Sequence, residues 1–155
     1  MGISLPKRTK LLRYWLPVLV WCGVMLTLSG DLGSSNNTGR ILHWLLPNLS
    51  EADFNVMHFY VRKGVGHVFD YGFLYFLWFR AFRGGLGYQG GRAFLSSLGL
   101  CLAVALLDEG HQSLLTSRSG SLWDVGLDLA ASCGAALILA IFHILRPGAE
   151  SGAET

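Results

Sequence analysis

The chain is short of charge. Only 14% of its 155 residues are Asp, Glu, Lys or Arg, against about 25% in a typical soluble domain. So few charges cannot wet the surface of a water-soluble fold, which argues against a soluble enzyme. Disorder is excluded by the opposite measure, since 52% of the residues are hydrophobic and disordered chains are poor in them. A net charge of +2 is too small to gather phosphate backbones, so a nucleic-acid module is excluded as well. Three cysteines make no disulfide framework. The chain also lacks Gly-x-Ser-x-Gly, His-Glu-x-x-His and any His-rich phosphatase signature, so no motif names a reaction.

What the chain has is long charge-free runs. Residues 14–30, 93–107 and 129–145 carry no charge, and a fourth apolar stretch, 65–79, is interrupted only by His67 and Asp70. A bilayer core of about 30 Å needs roughly 20 helical residues. Each run reaches that length with a flanking turn. The expectation is an all-α, polytopic membrane bundle of four transmembrane helices at about 12–29, 60–80, 92–110 and 124–145. A basic N-terminal segment, 1–11, precedes this membrane domain of 12–146, and a polar tail, 147–155, is expected to be disordered. The first run is read as a retained signal anchor, because it is long for a cleaved leader and no A-x-A site follows it.

Lys and Arg placement sets the orientation. Lys7, Arg8, Lys10, Arg13, Arg80, Arg83, Arg92 and Arg146 fall on the side of the termini, and Arg40, Arg62, Lys63 and Arg118 on the other. Both termini and the 81–91 loop are therefore expected in the cytoplasm of a cell with the chain in its inner (plasma) membrane. That loop is glycine-rich and reads as a flexible turn, not a phosphate loop, since no soluble strand precedes it. In the outer loop, Ile41, Leu42, Trp44, Leu45 and Leu46 stop at Pro47 and suit a short interfacial helix. Ser50-Glu51-Ala52-Asp53 resembles a capping box, so the second helix is expected to start near Glu51 and enter the membrane near Val61. Trp15, Trp21, Trp44, Trp78 and Trp123 fall near the expected interfaces, as in an aromatic belt.

The acidic residues gather at the other end. Of ten Asp and Glu, only Glu150 and Glu154 fall on the cytoplasmic side. Arg62, Lys63, His67, Asp70 and Tyr71 lie in the outer half of the second helix. Asp108, Glu109, His111 and Gln112 end the third, and Asp124 and Asp128 begin the fourth. Three- and four-residue spacings put His67, Asp70 and Tyr71 on one face, and likewise Lys63 with His67, Asp108 with Gln112, and Asp124 with Asp128. Ionised groups in a bilayer cost about 2.5–3.5 kcal/mol each on insertion scales, so they turn inward and find partners. The cations Arg62, Lys63 and Arg118 cannot neutralise Asp70, Asp108, Glu109, Asp124 and Asp128. Some carboxylates must hold a proton, pair with His67 or His111, or receive a cationic ligand or metal.

Plainer accounts stand beside this one. Arg62 and Lys63 equally suit snorkelling residues. Asp108 and Glu109 suit solvated residues where a helix leaves the bilayer. Arg118 and Asp124 suit the closing of a loop, with Asp124 favoured at a helix N-terminus. His67 reads first as a hydrogen-bonded bundle histidine, and no metal ligand or cofactor is assigned. His43, His58 and His143 look peripheral, and Cys22, Cys101 and Cys133 read as unpaired. Residues 130–136 give the last helix a small-residue surface for close packing.

Arg62-Lys63, His67, Asp70-Tyr71, Asp108-Glu109-x-x-Gln112, Arg118, Asp124-Val125 and Asp128 together resemble the pattern of the VanZ-like membrane proteins. That pattern runs Arg-Lys, His, acid-Tyr, Asp-Glu-x-x-Gln, Arg, Asp-Val, then Asn or Asp, then Gly. The similarity covers about 50–145. Here Lys63 and His67 are separated by three residues where the family pattern has two, and Ala131 stands in place of the glycine. The resemblance implies a small bacterial membrane protein of a family associated with teicoplanin resistance, whose reaction is not settled.

Two functions follow as expectations. The first is a non-enzymatic envelope protein that binds a lipid or lipid-linked cell-wall precursor through its head group. Arg62 and Arg118 would hold phosphate and the carboxylates an amine. The second is an intramembrane enzyme, with His67 or Glu109 as general base and Asp124 or Asp128 orienting it, or with a divalent metal held by oxygen ligands and His. A transporter would need more than four helices or a homodimer. The expected site is Arg62, Lys63, His67, Asp70, Tyr71, Asp108, Glu109, Gln112, Arg118, Asp124 and Asp128, with His67 or Tyr71 within about hydrogen-bonding distance, or one water, of Glu109, Gln112 or Asp124.

Overall fold

The structure is a computed structural model that describes residues 6–115 and 120–145. Arg118, Arg146 and the polar tail lie outside the described residues. Among those described there is no strand, and the chain is built from helices α1 (Lys7–Lys10), α2 (Leu16–Ser29), α3 (Ser35–Leu45), α4 (Glu51–Tyr60), α5 (Asp70–Arg80), α6 (Gly90–Gln112) and α7 (Leu122–Leu145). Three π-helical segments, Leu11–Trp15, Val61–Phe69 and Ala81–Gly85, join α1 to α2, join α4 to α5, and extend α5. Three helices are long and apolar enough to cross a membrane: Arg8–Ser29, Gly90–Gln112 and Leu122–Leu145. Their outer faces stay apolar, with Leu107 72% and Ile144 77% exposed, which fits a lipid surround rather than water.

The expected second helix is longer than its apolar run. It is continuous from Glu51 to Gly85. Its start is set as the sequence implies: the Ser50 hydroxyl accepts from the Asp53 N–H at 3.2 Å and donates to Asp53 Oδ2 at 2.6 Å. A short helix does form where one was expected: it is α3, capped by Ser34, which accepts from Asn37 N–H. α3 folds onto α4 by stacking His43 on Phe54, ring centroids 3.7 Å apart. Thr38 Oγ1 lies 3.0 Å from His58 Nε2 on the same contact. His43 and His58 are therefore packing residues of the α3–α4 hairpin.

The glycine-rich stretch 81–91 is not a flexible turn for most of its length. Helix persists to Gly85 and resumes at Gly90, with Gly87 at φ +70° between them. The reason is close approach. A Cβ on Gly84 would collide with the Tyr14 ring, and one on Gly85 would stand 2.7 Å from Trp15 Nε1. The glycines let the end of this helix press on the start of the first. Tryptophans of the expected aromatic belt also pack between helices in the same region. Trp15 meets Trp78 and Phe82 edge-on at 6.1 and 6.0 Å, and Trp21 meets Phe73 at 4.8 Å. These rings pack helix on helix, while Trp44 and Trp123 remain exposed.

The core is one cluster of Met25, Tyr71, Leu74, Tyr75, Cys101, Ala105 and Val125, drawn from α2, α5, α6 and α7. A smaller one, Val18, Leu77 and Ala81, joins α2 to the end of α5 and the segment after it. The small residues of α7 pack on α5: a Cβ on Gly72 would meet the Ala131 carbonyl and Ala135 Cβ at 4.0 Å. Cys22, Cys101 and Cys133 are free.

Candidate functional site

The site forms where three helices meet above the core. The segment Val61–Phe69 supplies Lys63 and His67, the end of α6 supplies Asp108, Glu109 and Gln112, and the start of α7 supplies Asp124 and Asp128. Val61, Gly64 and Gly66 lie in the first of these. Glycine and β-branched residues weaken the α-helix, and the segment takes the wider π turn, a form that recurs at functional sites.

Two pairs cross from this segment to α7. Lys63 Nζ is bonded to both carboxylate oxygens of Asp124. His67 Nδ1 lies 2.8 Å from Asp128 Oδ1. One turn further on, the Ser132 hydroxyl donates to the Tyr71 carbonyl at 3.5 Å and to the Asp128 carbonyl at 2.9 Å. Partners rise together along both helices, so the two run parallel. Lys63 and His67 are four residues apart, and both side chains reach α7.

α6 completes the enclosure. Gln112 Nε2 donates to Asp108 Oδ2 at 3.0 Å, a four-residue contact along one helix face. The Ser121 backbone N–H donates to Glu109 Oε2 at 2.7 Å. Gly120 makes that bond possible, because a Cβ there would collide with the Glu109 carbonyl. Asp108, Glu109, Gln112, Asp124 and Asp128 are all buried, Asp128 completely. Among the described residues, several of their oxygens have no hydrogen-bond partner: Asp108 Oδ1, Glu109 Oε1 and Asp128 Oδ2, together with Tyr71 OH and Ser29 Oγ. Buried polar atoms are rarely left so. Three carboxylates with spare acceptors in a dry place amount to a demand for protons or cations.

A cavity of about 70 Å³ opens beside them, walled by Met25, Leu28, Ser29, Gly66, His67, Asp70, Tyr71, Asp108 and Gln112. Its size admits an ammonium group or a couple of waters. Asp70 is half-buried on this wall, and its backbone carbonyl accepts from Trp21 Nε1 at 3.2 Å. The first helix thus contributes Met25, Leu28 and Ser29, which sequence reasoning did not assign. The only signal for Ser29 was a hydroxyl at the outer end of an otherwise apolar run. The Ser121 N–H, a backbone group, left no signal at all.

The sequence-expected residues thus divide. Lys63, His67, Asp70, Tyr71, Asp108, Glu109, Gln112, Asp124 and Asp128 come together. Arg62 does not join them: it is half-buried beside His58, and among the described residues no ion pair links it to the acids. Arg118 lies outside the described residues. His111 is exposed. No protein-family model, curated protein or solved structure matches the chain.

Proposed function

We propose that the chain is a four-span protein of a bacterial plasma membrane that binds the amine of an envelope lipid or lipid-linked cell-wall precursor in its acid-lined cavity. One observation carries this reading. The cavity is walled by Asp70 and Asp108, and the buried Asp108 Oδ1, Tyr71 OH and Ser29 Oγ beside it have no partner. Lys63 is already engaged by Asp124 and His67 by Asp128. A primary ammonium offers three donors, one for each of those oxygens, and supplies the missing positive charge.

The fourth span in this reading is the helix through Val61–Phe69 and α5. It is packed against α2, α6 and α7 through Tyr71, Leu74 and Tyr75, while Phe69, Phe73 and Phe76 stay exposed. Parallel alignment with α7 suits two helices that both enter from the outer face, with α6 returning between them. The resemblance to the VanZ-like proteins supports the same residues and the same envelope setting. Reporters fused to the two termini should both be active on the cytoplasmic side.

The test uses the full chain in lipid nanodiscs. Phosphatidylethanolamine should be retained in preference to phosphatidylglycerol, as read by native mass spectrometry. Asp108→Asn should cut that preference at least tenfold. Equal retention of the two lipids by the native chain would overturn the reading.

A second reading, an intramembrane acid–base enzyme, is favoured by the His67–Asp128 pair with Glu109 close by. An imidazole oriented by a buried carboxylate is the arrangement of a general base. Glu109→Gln that keeps lipid affinity but abolishes turnover of a lipid-linked substrate would support it.

A further inference from the structure

We propose that His67, Glu109 and Asp128 form a three-ligand site for one divalent transition ion, zinc foremost. The site adjoins the amine cavity and stands without the lipid-binding reading.

The three side chains come from three different helices, yet one ligand atom of each lies within 4.8 Å of the other two. Two of the three already meet through a hydrogen bond, His67 Nδ1 2.8 Å from Asp128 Oδ1, which loading would open. Donors around a tetrahedral zinc ion, at bonds of about 2.1 Å, stand roughly 3.4 Å apart. Loading therefore asks the widest edge of the triangle to contract by little more than an ångström, within reach of side-chain rotation.

The second observation is what the two carboxylates leave undone. Glu109 is 5% exposed and Asp128 0%. Glu109 Oε1 and Asp128 Oδ2 are buried with no partner. Each of these carboxylates has its other oxygen held, Glu109 Oε2 by the Ser121 N–H and Asp128 Oδ1 by His67. Carboxylates fixed by one oxygen and open at the other are how ligands are oriented around a metal. A single divalent ion neutralises both, which one neutral or protonated imidazole cannot.

The donor set selects the ion. Imidazole favours zinc and its first-row neighbours, whereas all-oxygen sites suit Mg²⁺ and Ca²⁺. Three protein ligands leave a coordination position open, as in sites where the ion also binds water or a second ligand.

The experiment uses the full chain, purified in lipid-free detergent micelles, stripped with chelator and titrated with Zn²⁺ alone. One ion per chain should bind and raise the thermal midpoint. Co²⁺ in its place should give visible d–d absorption. Glu109→Gln and His67→Asn should each weaken binding at least tenfold, while Glu51→Gln, at the exposed start of α4, leaves it unchanged. Helical circular dichroism and a monodisperse elution profile establish that each variant is folded. If Asp128→Asn fails to fold, Glu109→Gln decides. A folded native chain that takes up no Zn²⁺, or Glu109→Gln and His67→Asn variants that bind as the native chain does, would overturn the proposal.

Discussion

Lys63 grips Asp124 one helical turn before His67 meets Asp128, and the two contacts share one offset, 61 residues in each case. The same offset recurs in the Ser132–Tyr71 contact. A constant offset at four-residue spacing means that two parallel helices are locked in register by side chains. Polar groups in a membrane bundle thus do what apolar packing cannot, since lipid is as apolar as the core and gives no register of its own.

Breaking the first pair should therefore be costly on one side only. Asp124 is buried, while the Lys63 side chain is 32% exposed. Lys63→Met leaves a buried carboxylate without its cation and should destabilise the fold by about 2–4 kcal/mol, given the 3–5 kcal/mol typical of fully buried pairs. Removing both charges in Lys63→Met with Asp124→Leu should recover most of the loss. A double-mutant cycle from reversible unfolding in mixed micelles measures it. Additive losses in the double variant would show that the pair does not couple.

The glycines of 81–91 give an independent handle on how the first helix docks. Gly85→Ala places a methyl group 2.7 Å from Trp15 Nε1 and should cost about 1–3 kcal/mol, as overpacking does. Gly91→Ala meets nothing within 4 Å and lies inside α6, so it should be neutral or stabilise by up to about 1 kcal/mol. The same unfolding assay ranks them, and an inverted order would refute the close-approach account.

Much of this was legible in the sequence, for identifiable reasons. Lys63 with His67 and Asp124 with Asp128 advertise their shared faces because four residues make one turn. Ser50 and Asp53 mark a helix start because their side chains cap it. Three spans show in their hydropathy. Other features rest on relations that no local pattern carries. The Glu109 contact comes from a backbone N–H at Ser121. Gly84 and Gly85 look like a loop unless the rings of Tyr14 and Trp15 are in view. Trp15 and Trp21 read as interface anchors, and only the packing of α2 on α5 turns them inward. Arg62 follows the same periodic logic as its neighbour Lys63, yet it lies beside His58. One step along a helix rotates a side chain by about 100°, enough to separate two adjacent cations.

The α3–α4 hairpin should loosen in acid. Burial against α3, followed by the neighbouring Arg62 charge, pushes the His58 imidazole below its ordinary pKa of 6.5. The folded hairpin therefore favours neutral His58. Its contribution is complete above about pH 6.5 and is lost as pH falls from there through the depressed folded value. The protection factors of amides in Ser35–Leu45, taken against their intrinsic exchange rates at each pH, should fall on acidification over that window. His58→Gln should flatten the dependence, and an unchanged pH profile in that variant would assign the effect elsewhere.

The bond that holds Glu109 should depend on a residue with no side chain. Ser121 reaches Glu109 through its backbone, so Ser121→Ala should leave stability within about 0.5 kcal/mol of the native chain, as for most substitutions away from special features. Gly120→Ala is different. Its Cβ would collide with the Glu109 carbonyl and stand 3.0 Å from Ser113 Cβ, and the first of these is backbone that cannot swing aside. Residues 120 and 121 must retreat, the Ser121 N–H leaves Glu109 Oε2, and a second oxygen of a buried carboxylate loses its partner. A loss of about 1–3 kcal/mol follows from one unsatisfied buried group. Glu109→Gln on the Gly120→Ala background should restore part of it, because a neutral amide is cheaper to leave unpaired than a carboxylate. If Gly120→Ala unfolds at the native midpoint, the turn before α7 does not position Glu109.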